Sequence, residues 1–501
     1  MEQQRVQGND ARSVNIKVTH AIAQAVKSTL GPKGMDKLIA NEEGETTVSN
    51  DGATILKRMM IDHPVGKMIV DISKTQETEV GDGTTTAVII TGALLDNAGK
   101  LIEAGVHPST IINGYKLADN KARELYDLAS YNVTIKDKDK LRNIIKTTMS
   151  GKLIDSNDYI IDLILKAINK IYSNDFSRDN IKISHKIGKS INESQLMTLF
   201  IDKPFEKDTK ELKNPRVLLI DTSLEKKSPE NDANITISEP DKYLQFLEQE
   251  DKQLEQMAKK IIKAKPNIVF CEKGVDPLVT EILDKANITI VKRVVREDMT
   301  KLKHITNTII NSSLNDIEIG KLTSVKQVDM NGESVILINN NSNYVNILLR
   351  ASTDHILQEL ERAVDDVLGS LISVLKSGKY VYGAGSTEMK VSLDLEEYAK
   401  ELGGKEQLAV NAFADSLLSI PETLAESTGE DKLDIITEMK HQHNNSVLAG
   451  IDVLANKVKD MLHSDVIEPL DIKLQALKSA TESSIMILRI DDIIRGKIEN
   501  T

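Results

Sequence analysis

The stretch EVGDGTTTAVII (Glu79–Ile90) sets one carboxylate and three hydroxyls between two glycines and an apolar run. The apolar run predicts a helix from Thr84 to about Ile102. The first amides of a helix have no partner within it. They carry partial positive charge and form a natural anion site. Gly81 and Gly83 let a phosphate approach the backbone, and Thr84, Thr85 and Thr86 add donors. A carboxylate at Asp82 beside a phosphate calls for Mg²⁺ between them. The stretch therefore reads as a cradle for nucleotide phosphate and Mg²⁺. The plain alternative is Asp82 as the N-cap of a buried helix. The hexapeptide Gly81–Thr86 does not separate the two. No glycine-rich loop ending in Gly-Lys-Ser/Thr is present, so a P-loop NTPase or kinase is not supported.

Outward from this stretch, other glycine-bearing turns fall at element ends. Helical spacing of Val18, Ile22, Ala25, Val26 and Leu30 ends at Gly31-Pro32. TTVSNDGATILKR holds an Asn50-Asp51-Gly52 turn, a signal for a hairpin or for strand-turn-helix. A third glycine-rich stretch, Tyr382–Glu388, precedes another helix. The first 145 or so residues read as mostly helical. The middle does not: RVLLID (216–221), NIVFC (267–271), ITIVKRV (288–294) and NTIIN (307–311) are short β-rich runs, the last three separated by helical segments, which predicts an α/β domain. SVILINNNSNYVNILLR reads as two strands around an Asn/Ser turn. A charged helix from Pro240 to Lys263 has a thin apolar stripe (Leu244, Leu247, Leu254, Met257, Ile261), so it is expected to project from its domain. After about residue 353 the pattern is helical again. One domain inserted within another gives this order.

Bulk properties narrow the function. The chain has 501 residues, 40% apolar and 28% charged, with a net charge of -12. That is ample for a core and argues against nonspecific nucleic-acid binding, which needs a basic face. A single cysteine, Cys271, excludes an internal disulfide framework and a cysteine-cluster zinc site. Aromatics at 3% with no Trp argue against a stacking platform. No apolar run long enough for a membrane span and no polar-to-apolar leader are visible, so a cytoplasmic location is expected. His441 and His443 read as part of a polar loop without a third nearby ligand, and Cys271 reads as a packed thiol.

Five blocks, STLGPKGMDKLI, SNDGATILK, GDGTTTAV, EQLAVNAFADSLLSIPETLAE and VIEPLDIKLQALKSATESSIMILRIDDII, occur in the order found in group II chaperonin subunits. The chain resembles that family along its whole length, its archaeal members more closely. The resemblance implies an α/β multidomain chaperonin fold. A mostly helical equatorial domain would come from residues 1–146 and 400–501. A small hinge-like intermediate domain would come from 147–214 and 352–399. An inserted α/β apical domain, 215–351, would bear a helical protrusion at about 224–263 that serves as a built-in lid. It implies ATP and Mg²⁺, unfolded protein as substrate, and identical or paralogous subunits in two stacked rings, with no nucleic acid and no membrane.

Residue roles follow from the same resemblance. Leu30, Gly31, Pro32, Gly83, Thr84, Thr85 and Thr86 would contact the phosphates, and Asp82 would hold Mg²⁺. Asp51 would lie by the γ-phosphate and the attacking water. Ser150, Gly151 and Lys152 mark the entry to the intermediate domain, with Lys152 sensing the γ-phosphate. Gly383, Ala384, Gly385, Gly450 and Asp452 would line the ribose and adenine side, with Glu468 near the ribose. The catalytic aspartate would be Asp366 in ELERAVDDVLGSL, and not its neighbour Asp365 or Asp415 of AFADS. A base on a hinge reaches water only when the hinge closes, which ties hydrolysis to conformation. The chain departs from the family at Ala384, Ser386 and Thr387 in the glycine loop, and at Ala455-Asn456-Lys457 in place of a more usual Thr-Gly-Glu. It also ends without a Gly-Met-rich tail. The expected function is an ATP-driven folding machine. The alternative is a ring subunit with weak ATPase that acts as a structural or holdase component, motivated by the substitutions at Ala384.

Overall fold

The computed structural model describes residues 5–494 apart from 41–45, 60, 153–156, 174–175, 189, 207–210, 227–239, 331 and 446, with the side chains of 5–9, 240–248 and 493–494 also left out. The chain forms two compact units. One combines Met1–Leu165 with Gln358–Thr501, and the other is Lys166–Leu357. Among the described residues no helix is long and apolar enough to cross a membrane.

The first unit is built on the Thr84–Glu103 helix. Its Ala87, Val88, Ile90, Leu94, Leu95 and Ala98 are all buried. A helix apolar on every side must be surrounded. Here the helices Gly8–Lys27, Pro64–Val80, Glu406–Leu417 and Leu470–Leu488 pack around it. Gly92 permits the closest approach, since a Cβ there would lie 2.6 Å from Ala23 Cβ. Small antiparallel sheets rim this core. Lys379–Tyr382 lies between Ile467–Pro469 and Tyr131–Asn132. Ala449–Asp452 pairs with Lys457–Asp460, and Lys37–Ala40 with Thr46–Ser49. Arg5–Gln7 pairs with Asp492–Ile494, which joins the two ends of the described chain.

The second unit is α/β. Arg216–Ile220, Ile268–Cys271 and Thr289–Val291 form a parallel sheet, edged by an antiparallel Gly320–Lys321. The strands are buried on both faces, as continuous apolar runs require. Cys271 is a packed thiol whose pKa burial raises to about 11. A four-stranded antiparallel sheet and a three-stranded mixed sheet complete the unit.

Four expectations change here. NTIIN is no strand; only Asn311 bridges to Ile220, because its side chain instead donates to the Leu219 carbonyl. Glu333–Asn339 and Val345–Ala351 are strands but belong to different sheets. Glu333–Asn339 pairs instead with Ser324–Met330, with Gly332 in the left-handed region at φ 82° just before the second strand. His441 and His443 lie on the Lys432–Asn444 helix, where buried His443 bonds the Ala449 carbonyl at 2.8 Å. The fourth change concerns the charged helix, which runs Pro240–Ala264. Leu254, Ala258 and Ile261 are buried with Leu218, Ile220 and Val269 of the parallel sheet, so its second half is core rather than projection. Leu244 and Leu247 lie outside the described side chains.

Candidate functional site

Asn50-Asp51-Gly52 is a strand-turn-helix joint. Asp51 ends the extended backbone and caps the Gly52–Arg58 helix, accepting from the amides of Thr54 at 2.7 Å and Ala53 at 3.4 Å. Gly52 is obligatory at the joint, since a Cβ would lie 2.5 Å from Thr85 Oγ1. The turn thus rests on the threonine cradle, and Thr84 Oγ1 lies 3.5 Å from Asp51 Oδ1.

The cradle itself is not a capped helix start. The N-cap is Gly83, in the left-handed region at φ 82°, and no side chain caps the first turn. Asp82 Oδ1 instead accepts from the Gly83 amide at 2.6 Å, one residue before the helix. Gln76 fixes the turn by donating to the Asp82 carbonyl at 2.9 Å and the Ile472 carbonyl at 3.2 Å. The N-cap alternative for Asp82 therefore does not hold. The amides of Thr84–Thr86 keep the positive end of the helix for another acceptor.

The Ser150-Gly151-Lys152 loop sits directly on the Leu30-Gly31-Pro32 loop. Gly151 has φ +79°, and a Cβ there would lie 2.7 Å from the Gly31 carbonyl oxygen and 3.3 Å from Pro32 Cα. Asn50 Nδ2 donates to the Gly151 carbonyl at 3.0 Å. Lys152 then forms an ion pair with Asp366 on the Asp354–Ser377 helix. Burial raises the Asp366 carboxyl, Lys152 opposes this, and the charges of Asp82 and Asp51 push it further, to about 7. Burial alone would lower Lys152, but Asp366, Asp82 and Asp51 together raise it. Asp51, Asp82, Lys152 and Asp366 are thus one electrostatic group. Asp365 and Asp415 are exposed.

A second cluster surrounds the later glycine loop. A Cβ on Gly383 would lie 2.3 Å from Glu468 Oε1, and one on Gly385 would meet Pro421 at 2.7 Å. Ala384 takes φ +57°, a left-handed conformation that suits glycine. The loop is nonetheless tied down: the Gly383 amide donates to Val466 and the Ile451 amide to Ala384, both at 3.0 Å. Gly450 faces Ala384, where a second Cβ would lie 3.2 Å from the Ala384 methyl. Glu468 shares Lys473 with fully buried Glu388, at 2.7 Å to each. Burial raises the Glu468 carboxyl, with Lys473 opposing and Glu388 adding to the rise. Asp452 is differently placed. Its carboxylate is occupied by Lys459 and the Ala455 amide within its own hairpin. Asn456 supplies that hairpin's left-handed residue at φ 53°, so the unusual Ala-Asn-Lys sequence still closes the turn.

Three residues of consequence escaped the sequence reading. Gln76 and Lys473 are single polar residues in helical patterns, with nothing local to mark them. Gly369 interrupts an otherwise strong helical run, which was a readable sign of close backbone approach.

The chain is thus a helical unit interrupted by an α/β unit, with glycine loops clustered around acidic residues in the helical unit. The TCP-1/cpn60 chaperonin family profile matches residues 22–497. The chain is 41% identical over 512 residues to a thermosome subunit alpha of Thermoplasma acidophilum, covering 99% of this chain and 93% of that protein. It is 41% identical over 509 residues to a thermosome subunit beta of Archaeoglobus fulgidus, with the same coverage. A thermosome subunit of Methanopyrus kandleri is 39% identical over 509 residues, again covering 99% and 93%. The chain belongs to the TCP-1/cpn60 chaperonin family, as a group II chaperonin of the archaeal type.

Proposed function

We propose that the chain is the ATP-hydrolysing subunit of a double-ring chaperonin that encloses and folds unfolded proteins in the cytoplasm. The observation that carries this reading is the joint placement of Asp51, Asp82, Lys152 and Asp366 beside an uncapped helix start. The triphosphate of ATP suits the free amides of Thr84–Thr86 and the loops at Gly31 and Gly151. Among the described residues no cluster of three acidic, histidine or cysteine side chains forms a closed metal site. Mg²⁺ commonly takes one or two carboxylates together with substrate phosphates, so Asp82 alone fits as its protein ligand. Bound there, Mg²⁺ would neutralise phosphate charge. Asp366 would accept a proton from water, Asp51 would orient that water, and Lys152 would hold Asp366 until phosphate competes for the ammonium.

The three-domain division extends this reading, with hinge segments 147–214 and 352–399 between an equatorial and an apical domain. Ring assembly has a candidate surface in the Lys37–Ala40 and Thr46–Ser49 hairpin. Among the described residues its strands pair only with each other, and Leu38 and Val48 are exposed. Open edges of this kind invite a strand from another subunit.

Single-turnover hydrolysis of ATP by the purified chain tests the reading. Asp366→Ala should retain nucleotide and lose hydrolysis by about 10²-fold or more. Asp82→Ala should weaken Mg-ATP binding itself. Normal turnover by Asp366→Ala would refute the assignment of the base.

A further inference from the structure

Asp366 is not the only residue through which its helix meets the Asp51 turn. Arg362 lies four residues earlier on the same helix, so the two side chains share a face one turn apart. Arg362 Nη1 donates to Ser49 Oγ at 3.0 Å. Ser49 is only 2% exposed, and the same hydroxyl oxygen accepts the Asp51 amide at 3.1 Å. The guanidinium is oriented by Glu359, whose carboxylate lies 2.8 Å from Nη2. On the other side of the turn, Asn50 is fastened to the Gly151 carbonyl, next to the Lys152 that pairs with Asp366.

We propose that Arg362 is a positioning residue for hydrolysis, which sets Asp366 against Asp51 by latching the Asp354–Ser377 helix to the Ser49 hydroxyl. The chain Arg362–Ser49–Asp51 and the chain Asp366–Lys152–Gly151–Asn50 grip the same three-residue turn from two sides. A helix held at one point can roll; held at two points a turn apart, it fixes the separation of its carboxylate from the turn. Arginine suits this task because its planar fork serves Ser49 and Glu359 together, which a lysine ammonium does less well. Arg362 itself exchanges no proton and need not touch nucleotide. The inference rests on Asp366 being the base.

The test is steady-state ATP hydrolysis by the assembled full-length chain carrying Arg362→Met, Arg362→Lys, Ser49→Ala, or Arg362→Met with Ser49→Ala, beside Asp366→Ala. Misplacing a base by about an ångström costs on the order of 10²-fold, so Arg362→Met should lower kcat by about that factor. KM for ATP should change by less than about 2-fold, because binding groups are untouched. Arg362→Lys should recover part of the rate. The double variant should be no slower than the slower single one, since both break one latch. Multiplicative losses, an unchanged kcat, or a raised KM at constant kcat would each overturn the proposal. Ser49→Ala removes one oxygen and carries the test if Arg362→Met does not fold. If Asp366→Ala is inactive while Arg362→Met turns over normally, only the latch is refuted. If Asp366→Ala is active, the assignment of the base falls as well.

Discussion

The backbones of Gly81 and Gly369 cross with no room for a methyl group: a Cβ on Gly81 would lie 2.7 Å from Gly369 Cα, and one on Gly369 would lie 2.8 Å from Gly81 Cα. Gly81 ends the helix before Asp82, and Gly369 lies three residues after Asp366. The crossing therefore keys the turn that carries one carboxylate to the helix that carries the other. In an ordinary helix interior, Gly→Ala stabilises by roughly 0.5–1 kcal/mol. Here Gly369→Ala should do the opposite, with an overpacking cost of about 1–3 kcal/mol. Hydrolysis should fall at least about tenfold as Asp366 is displaced. Thermal unfolding and turnover measured on the same variant check both. A stabilised, fully active Gly369→Ala would show that the crossing has slack.

The state of Asp366 should govern the pH dependence of turnover. Its carboxyl is raised to about 7, chiefly by burial. The ionised form is the one able to accept a proton, and its fraction grows as pH rises. Turnover should therefore climb roughly tenfold per pH unit below about 7 and level off above. Lys152 opposes the rise, so Lys152→Met should move the midpoint upward. A flat profile across about pH 5.5–8.5 would contradict a titrating base.

Asp51 is a helix cap and a proposed catalytic group, and a pair of substitutions separates the two. As a cap it holds the amides of Ala53 and Thr54. Asparagine caps equally well, so Asp51→Asn should leave stability within about 0.5 kcal/mol, whereas Asp51→Ala should cost about 1 kcal/mol. Asparagine keeps an oxygen for the closer Thr54 amide but loses the charge and the second oxygen, which faces Ala53 and Thr84. Asp51→Asn should still lower turnover while unfolding at nearly the wild-type temperature. Equal turnover with Asn would leave Asp51 a structural cap alone.

Ala384 stores backbone strain. An alanine in the left-handed region costs about 1–2 kcal/mol, part of which glycine returns as unfolded-state entropy. Ala384→Gly should raise stability by about 0.5–1 kcal/mol without loss of nucleotide affinity. Differential scanning calorimetry with and without nucleotide measures it, and a destabilised variant would mean that the methyl's contacts outweigh the strain.

What was legible in the sequence was what lies within one turn or one helix. Gly83–Thr86, Asp51 and the apolar Thr84–Glu103 helix could be read because a loop, a cap and a burial pattern are local. The resemblance to a family pointed to Asp366, since nothing in ELERAVDDVLGSL itself singles out one aspartate. The pairings that assemble the site are not local. Lys152 meets Asp366 across 214 residues and Arg362 meets Ser49 across 313, and neither spacing leaves a periodic trace. The seating of the charged helix is hidden in the sequence for a related reason. A sparse stripe of Leu254, Ala258 and Ile261 suffices to seat one half of a helix, and a whole-helix average conceals it.

That seating redraws the limits of the proposed lid. If residues 226 to 258 were replaced by a Gly/Ser linker, Leu254 and Ala258 would be lost from the core beside Leu218 and Val269. Truncating two such buried side chains costs several kcal/mol, about 2–5 for a leucine alone, so that deletion would unfold the α/β unit rather than report on closure. The replacement should stop at 248, leaving the packed half of the helix and its Pro266-Asn267 exit into the Ile268–Cys271 strand. With residues 227–248 replaced, folding, assembly and ATP hydrolysis should persist, because the proposed catalytic group lies wholly in the Met1–Leu165 and Gln358–Thr501 unit. Protection of a bound, unfolded client from protease on addition of ATP should be lost. Leu254→Asp is the complementary variant: it keeps the whole segment but charges its buried anchor, and should lower the unfolding temperature of the α/β unit. A ring lacking 227–248 that still shields its client would show that closure resides elsewhere in the chain.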